Sequence, residues 1–274
     1  MNLIIFLSFL LAKPPHPPTI PDSRIDTYRT VGDTELKVWI IGESDPKEPK
    51  PAIIFFFGGG WKTGTPKQFE PQARHFAERG MLCLLADYRV ETRQQVLPVE
   101  CVKDAKACLA WTRENAQQLG IIPDQIACAG GSAGGHLAGA TGTLPGLGSE
   151  ERPNALLLFN PALLLSDLGK WKMGDFGRER KLGIPAIDLS PAHHVGPHTP
   201  PTLILHGTKD KIVPFFTAQA FEDAMKKAKR PCKLVAYEGQ GHGFFNRGEP
   251  YQKTLAKADQ FLTQLGWLKP VTSQ

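Results

Sequence analysis

Residues 126–140 read IACAGGSAGGHLAGA, and this stretch decides the fold of the chain. The apolar run 126–129 has the length of a strand, and its continuous hydrophobicity is typical of a strand that is covered on both faces. The small residues 133–140 can continue as a helix. Between the two elements, Ser132 stands in a Gly-Gly-Ser-Ala-Gly turn. The sequence therefore predicts a strand–turn–helix unit that presents a serine at the end of a buried strand.

Similar apolar runs alternate with helix-period segments along the rest of the chain. This alternation predicts βαβ units and one mostly parallel sheet flanked by helices, which we assign to a single domain over residues 30–268. Residues 163–201 interrupt the alternation and are rich in Gly, Pro, Lys and Arg, so we interpret them as a small lid insertion. The strand candidates are 36–41, 52–57, 81–86, 126–129, 155–159, 202–205 and 233–237, and the helical stripes lie in 102–119, 221–228 and 251–265.

Composition excludes several classes of protein. The chain has 274 residues, of which 41% are hydrophobic, so it can bury a core and is neither disordered nor collagen-like. No apolar run reaches the roughly 18 residues of a membrane-spanning helix, so we expect no stable membrane insertion. The net charge is only +5, and the one dense basic run, residues 226–230, lies where a helix ends. We therefore expect no nucleic-acid partner.

The amino-terminal end has some features of a targeting segment. An apolar run covers residues 3–12 and is followed by Lys13 and a Pro-rich stretch, so residues 1–12 are a candidate signal peptide and 13–29 a linker. No Lys or Arg precedes the run, and the usual cleavage pattern is reduced to Ala12. Export would make the protein secreted or periplasmic. The alternative is an N-terminal strand of a cytoplasmic protein.

Four predicted strands are followed, within a few residues, by groups that could take part in catalysis. Ser132 follows 126–129, Asp210 lies five residues after 202–205, and His242 stands in a Gly-rich loop after 233–237. The carboxyl ends of parallel strands meet at one edge of a sheet, so these three side chains are expected to meet there. The fourth strand, 52–57, leads into Gly58-Gly59-Gly60-Trp61. Successive glycines allow backbone N–H groups to point into a cavity, as an oxyanion hole requires.

Each of these residues also has a simpler interpretation. Asp210 is a preferred residue type for a helix N-cap, and Glu238 is a rival acid for His242. His136 is interpreted as a packed or hydrogen-bonded residue rather than a second catalytic group. The histidines 193, 194 and 198 lie in a Pro-rich loop without an acidic partner at helical spacing, so we expect no metal. The aromatic candidates for a substrate pocket, which packing alone would also explain, are Trp61, Trp171 and Phe176.

With these motifs, the chain resembles α/β-hydrolases of the carboxylesterase and lipase type. It is similar to the group with an H-G-G-G or H-G-G-x-W motif, which includes hormone-sensitive-lipase-like esterases, acetylxylan and feruloyl esterases, and kynurenine formamidases. The resemblance covers about residues 30–268 and rests on the segments 58–61, 87–89, 130–135, 210–214 and 241–242. It departs from the family pattern at Phe57, where a histidine usually supports the glycine loop.

The resemblance implies a fold, an activity and a site. The implied fold is an α/β-hydrolase fold, and the chain order serine, aspartate, histidine agrees with it. Ser132 would attack an acyl carbonyl, His242 would act as base, and Asp210 would orient the histidine. The implied oxyanion donors are the N–H groups of Gly59, Gly60 and Ala133.

The sequence thus predicts a serine carboxylesterase that forms an acyl-enzyme intermediate and needs no cofactor. The expected substrates are short-chain or small aryl esters, such as acetyl or feruloyl esters of plant polysaccharide. An arylformamidase or a small peptidase would use the same three residues on a C–N bond. A non-catalytic ligand-binding relative would have lost one of them, and none is missing here.

Overall fold

The computed structural model describes residues 16–174 and 181–270. The candidate signal peptide 1–12 lies outside the described residues, so export stays a prediction. No helix in the described part of the chain is long and apolar enough to cross a membrane.

One twisted sheet of eight strands runs through the described residues. Its strands are β1 (Arg24–Val31), β2 (Thr34–Ile41), β3 (Lys50–Phe56), β4 (Leu82–Ala86), β5 (Ile121–Gly131), β6 (Ala155–Phe159), β7 (Thr202–Gly207) and β8 (Cys232–Tyr237). They are ordered β1-β2-β4-β3-β5-β6-β7-β8. The pairs β1–β2 and β2–β4 are antiparallel, and every other pair is parallel.

Helices cover both faces of the sheet. They are α1 (Glu70–Glu78), α2 (Glu91–Gln94), α3 (Pro98–Glu114), α4 (Ala116–Leu119), α5 (Ala133–Thr143), α6 (Phe215–Lys227) and α7 (Gly248–Gln264) in the described ranges. Alternating residues of β3 belong to two different buried clusters, with Ile54 and Phe56 in one and Ile53 and Phe55 in the other. The first cluster includes side chains of α3, α5 and α6, and the second includes side chains of α1 and α7. Because both faces are covered, the strands appear in the sequence as continuous apolar runs.

The predicted fold class is confirmed, and the predicted strands correspond to β2 through β8. The carboxyl ends of β3, β5, β7 and β8, which are mutually parallel across the sheet, lie at the same edge. The residues that follow these strands are therefore brought to one side of the molecule, where the candidate site forms.

The predicted linker is wrong from Arg24 onward, because β1 lies inside it. Tyr28 is the buried residue of this strand, and its hydroxyl donates a hydrogen bond of 2.6 Å to the carbonyl of Asp87. An edge strand with one buried side chain has neither a continuous nor a regularly alternating apolar pattern, which explains why the sequence did not reveal it.

The predicted lid, residues 163–201, is described over 163–174 and 181–201. Leu163, Leu164, Leu165 and Leu189 are buried, and a short 3-10 helix forms at Pro191–His194. These leucines pack into the cluster on the side of α3, α5 and α6. The described parts of the segment are thus anchored to the core, and a lid function stays a prediction.

Candidate active site

Ser132 occupies a sharp turn between β5 and α5. Its backbone has φ 54° and ψ −117°, a conformation that is costly for a residue with a Cβ atom. The turn also needs close backbone approach, because a Cβ atom on Gly134 would collide with the carbonyl oxygen of Phe56. The Ser132 N–H donates a 2.9 Å hydrogen bond to the carbonyl of Phe159 at the end of β6. The fold thus holds the serine in a strained position, and its side chain lines a cavity.

The structure brings Ser132, Asp210 and His242 together as a hydrogen-bonded chain. His242 Nε2 lies 3.0 Å from Ser132 Oγ, and His242 Nδ1 lies 2.7 Å from Asp210 Oδ2. Since an ionised carboxylate can only accept hydrogen bonds, Nδ1 carries the ring proton and donates a hydrogen bond to Asp210. Nε2 is then unprotonated and accepts the hydroxyl proton of Ser132. This arrangement has the geometry of a nucleophile, a base and an orienting acid.

Both carboxylate oxygens of Asp210 accept hydrogen bonds. Oδ1 accepts from the backbone N–H groups of Ile212 and Val213, each at 2.9 Å. Oδ2 accepts from His242 and from the side-chain amide of Asn160, the latter at 2.8 Å. Asp210 is not a cap of the helix that follows, since α6 begins at Phe215 and its N-cap residue is Pro214. The interpretation as a helix cap alone is therefore wrong.

The surroundings of Asp210 favour its charged form. Burial by itself would raise the pKa of this carboxyl. The rings of His206 and His242 and the N–H of Val213 act in the opposite direction, and together they hold the pKa of Asp210 well below its usual value. His206 is fully buried, with Nε2 at 3.5 Å from Asp210 Oδ2. Asp210 is therefore a permanent carboxylate acceptor for His242 near neutral pH.

The glycine loop after β3 presents backbone donors to the same cavity. Gly59 has φ 123°, and a Cβ atom there would collide with the carbonyl oxygen of Thr63, so the loop requires glycine. Among the described residues, the N–H groups of Gly59 and Gly60 have no acceptor. Ala133 begins α5, and the first N–H groups of a helix have no intrahelical acceptor. All three residues line the cavity next to Ser132.

Phe57 is supported differently from the histidine of the usual family pattern. Its ring stacks on Tyr88 with a centroid distance of 4.0 Å, and the Tyr88 hydroxyl donates to the Phe57 carbonyl at 2.7 Å. The Arg93 guanidinium lies 5.8 Å from the centre of the Phe57 ring and donates to the Gly64 carbonyl at 2.7 Å. Arg93 is also paired with Asp87 at 2.7 Å. Aromatic stacking and an arginine brace therefore hold this loop.

The cavity beside Ser132 has a volume of about 320 Å³. Trp61 lines this cavity, whereas Trp171 is absent from its lining. Trp171 instead stacks on Phe216, with 6.3 Å between the ring centres, and donates to Asp223. Phe176 lies outside the described residues. The described residues of 163–201 are likewise absent from this lining, although Lys181 lines a neighbouring cavity of about 790 Å³.

The other histidines and the rival acid have separate surroundings. His136 is fully buried, accepts a 3.3 Å hydrogen bond from the Trp61 indole, and bonds the Leu189 carbonyl at 2.8 Å, as its packed interpretation requires. His193 bonds Ser190 and a backbone carbonyl. Glu238 is exposed to solvent. Within the described residues, no group of three or more His, Cys, Asp or Glu side chains could hold a metal ion.

Several residues of the site were not predicted from the sequence. Asn160 follows β6 directly and donates to Asp210, so its position after a predicted strand was the available signal. Gln68 accepts the Gly58 N–H at 2.6 Å, and its own amide donates to Asn246 at 3.1 Å. No sequence pattern predicts that these two side-chain amides belong to the site. The cavity residues that were not singled out in the sequence include Gln68, Ala162, Phe245 and Asn246.

Comparison with known proteins gives consistent relatives. Residues 40–153 match the BD-FAE family, and residues 189–272 match the Dienelactone hydrolase family. By sequence, the chain is 28% identical to a probable carboxylic ester hydrolase, LipM, of Mycobacterium tuberculosis over 84% of this chain and 58% of that protein. It is 29% identical to an acetylxylan esterase of Xylanibacter ruminicola over 80% of this chain and 45% of that protein. The chain thus spans about half the length of these relatives.

A solved structure covers nearly the whole chain. Thermogutta terrifontis esterase 2, phosphonylated by cyclosarin, aligns with a TM-score of 0.87 and 44% identity over 94% of this chain and 100% of that chain. The same esterase with butyrate bound aligns with a TM-score of 0.87 and 43% identity over 95% of this chain and 100% of that chain. The resemblance predicted from the motifs is therefore confirmed: the chain belongs to the α/β-hydrolase family of esterases.

Proposed function

We propose that the protein is a serine carboxylesterase that hydrolyses short-chain esters. The observation that carries this proposal is the chain of hydrogen bonds from Ser132 Oγ through His242 to Asp210. Ser132 and His242 line a cavity that Gly59, Gly60 and Ala133 also line. The ester hydrolases among its relatives support the same activity.

In the proposed reaction, His242 Nε2 takes the proton of Ser132 as Oγ attacks the acyl carbonyl. The oxyanion of the tetrahedral intermediate accepts hydrogen bonds from the N–H groups of Gly59, Gly60 and Ala133. His242 then returns the proton to the departing alcohol, which leaves an acyl group on Ser132. Water repeats the same sequence on the acyl-enzyme and releases the acid. Asp210 stabilises the protonated imidazole and keeps its Nδ1–H in place.

The size of the cavity supports small acyl groups. Its volume of about 320 Å³ lies at the lower end of the range for ligand pockets, roughly 300–1,000 Å³. Trp61, Val213 and Phe245 contribute apolar surface to its wall. Among the related structures, Thermogutta terrifontis esterase 2 was determined with propionate and with butyrate bound. Acetyl, propionyl and butyryl esters are therefore the proposed substrates, and acetyl or feruloyl esters of plant polysaccharide are the natural class to test.

A series of p-nitrophenyl esters from acetate to dodecanoate tests the proposal, together with methyl ferulate and acetylated xylan. We expect kcat/KM to be highest for acetate to butyrate and to fall for octanoate and longer chains. Ser132→Ala is expected to abolish turnover. Ser190→Ala is the matched control, because Ser190 Oγ also lies 2.9 Å from a histidine nitrogen, that of His193. This control should keep the wild-type rate.

Two results would contradict the proposal. Wild-type ester hydrolysis by Ser132→Ala would exclude Ser132 as the nucleophile. A preference for N-formylkynurenine or an aminoacyl anilide over every ester would assign the same three residues to amide cleavage.

A further inference from the structure

Asn160 has a buried side chain next to Asp210, the proposed orienting acid. The proposed reaction gives this side chain no role. Asn160 follows β6 directly, is fully buried, and has φ 42° in the left-handed region. Its backbone N–H donates a 2.9 Å hydrogen bond to the Leu205 carbonyl of β7. Asn160 is thus hydrogen-bonded to β7, the strand that precedes Asp210 in the chain. The sheet therefore sets the position of Asn160 relative to the Asp210 carboxylate.

Within the described residues, only the NH₂ group of the Asn160 side-chain amide makes a hydrogen bond. Its Nδ2 donates to Asp210 Oδ2 at 2.8 Å. Its Oδ1 is buried and has no hydrogen-bond partner in the described part of the chain. A buried carbonyl without a partner is unfavourable, and an apolar side chain would fill the same space without that cost. The single bond that the amide makes is therefore the feature that distinguishes asparagine from an apolar residue here.

The two oxygens of Asp210 are held in different ways. Oδ1 is held by two backbone N–H groups, whereas Oδ2 is bonded by the side chains of His242 and Asn160. His206 Nε2 lies 3.5 Å from Oδ2 and bonds the Val213 carbonyl at 2.9 Å. Without Asn160, the position of Oδ2 would depend mainly on His242, the residue that it has to orient.

We propose that Asn160 is a positioning residue that holds Asp210 Oδ2 in the orientation that receives His242 Nδ1–H. This inference rests on the proposed function. Asn160 acts through Asp210 and is not one of the residues that line the substrate cavity. Its loss should therefore lower kcat and leave KM nearly unchanged, because substrate binding does not involve it.

The test compares Asn160→Gly and Asn160→Asp with the wild-type enzyme in steady-state hydrolysis of p-nitrophenyl butyrate. Glycine removes the amide and tolerates the left-handed backbone, and aspartate keeps the shape but brings a second carboxyl against Asp210 Oδ2. For both variants we expect kcat to fall about 10- to 100-fold, the loss typical of small misplacements of reacting groups, with KM within about twofold. Asn154→Gly is the matched control at the opposite end of β6, where the Asn154 amide oxygen accepts the Ile126 N–H. It should lower the melting temperature and leave kcat unchanged.

A double-mutant comparison separates positioning from a general structural role. In an Asp210→Ala background, Asn160 has no carboxylate to hold, so Asn160→Gly should lower the residual kcat by less than about twofold. An undiminished kcat in Asn160→Gly, or an equal loss with and without Asp210, would overturn the inference. Full activity in Ser132→Ala would instead overturn the proposed function, so the two failures are distinguishable.

Discussion

Replacing Asp210 with asparagine is expected to reverse the hydrogen-bond polarity at His242. Oδ1 of Asp210 accepts two backbone N–H groups, from Ile212 and Val213, and an amide nitrogen cannot accept either of them. The amide oxygen of the substituted side chain must therefore take the Oδ1 position. Its NH₂ group then takes the Oδ2 position, where His242 Nδ1–H lies 2.7 Å away in the wild type. Two donors would face each other.

The imidazole can relieve this conflict by moving its proton from Nδ1 to Nε2. Nε2–H then points at Ser132 Oγ, 3.0 Å away, and can no longer accept the hydroxyl proton. The equivalent change in a Ser-His-Asp enzyme lowers kcat by about 10⁴, which corresponds to about 5.5 kcal/mol in the activation barrier. We expect a loss of that size here, with KM little changed because Asp210 does not line the described cavity.

Steady-state kinetics with p-nitrophenyl butyrate measure this effect, and thermal unfolding reports the folded fraction. Asp259→Asn is the matched control, since Asp259 of α7 is also buried and accepts hydrogen bonds from His75 at 3.1 Å and Arg79 at 2.7 Å. It should lose stability and keep kcat within about twofold. If Asp210→Asn kept kcat within tenfold of the wild type, the assignment of Asp210 as the orienting acid would be refuted.

Four further predictions concern the glycine loop, the arginine that braces it, and the pH dependence of activity and of stability. In Gly59→Ala, the added Cβ atom would collide with the Thr63 carbonyl and displace an oxyanion donor. We therefore expect kcat to fall by roughly 10²-fold at nearly constant KM. A wild-type kcat would show that the Gly59 N–H is not an oxyanion donor. Arg93→Met removes the hydrogen bonds to the Gly64 carbonyl and to Asp87. We expect the free energy of unfolding, measured with denaturant, to fall by about 1–3 kcal/mol, and kcat to fall as well. An unchanged kcat would show that the glycine loop does not need Arg93 for its active geometry. Because the pKa of Asp210 is depressed, its carboxylate stays charged at pH 4, so Asp210 should add no ionisation of its own to kcat/KM at or above pH 4, and a loss of activity traced to Asp210 in that range would contradict this prediction. The same depressed pKa gives a stability contribution that is present above about pH 3.9 and is lost as the pH falls through the native value, so Asp210→Asn should flatten the loss of unfolding free energy below pH 4.

The strands and the three central side chains were predictable for one physical reason. A strand covered on both faces must be apolar throughout, so β3, β5 and β7 stand out as short continuous runs. Polar residues that follow such runs closely, as Ser132 and Asp210 do, can then be assigned to one edge of the sheet. β1 lacked this signal because it is an edge strand with one buried residue, the others being exposed or half-buried.

The residues that support the site were harder to predict because their roles depend on contacts between distant segments. Gln68 and Asn246 are 178 positions apart, yet their amides lie within 3.1 Å. Trp171 was a reasonable pocket residue by type, but the fold stacks it on α6 instead. Arg93 braces the glycine loop through bonds to a carbonyl 29 positions away.

The sequence by itself determined the parallel sheet, the serine turn and the order Ser132, Asp210, His242, because hydrophobic runs and turn residues act locally along the chain. Only the tertiary structure decided how these groups are held. The hydrogen bond from His242 Nδ1, the other hydrogen bonds to Asp210 and the aromatic support of Phe57 all form where separate strands end side by side. The Asn160 amide oxygen, which has no partner among the described residues, is buried at the same place. Hydrogen bonds are directional and act over about 3 Å, so these contacts exist only once the sheet has placed its strand ends.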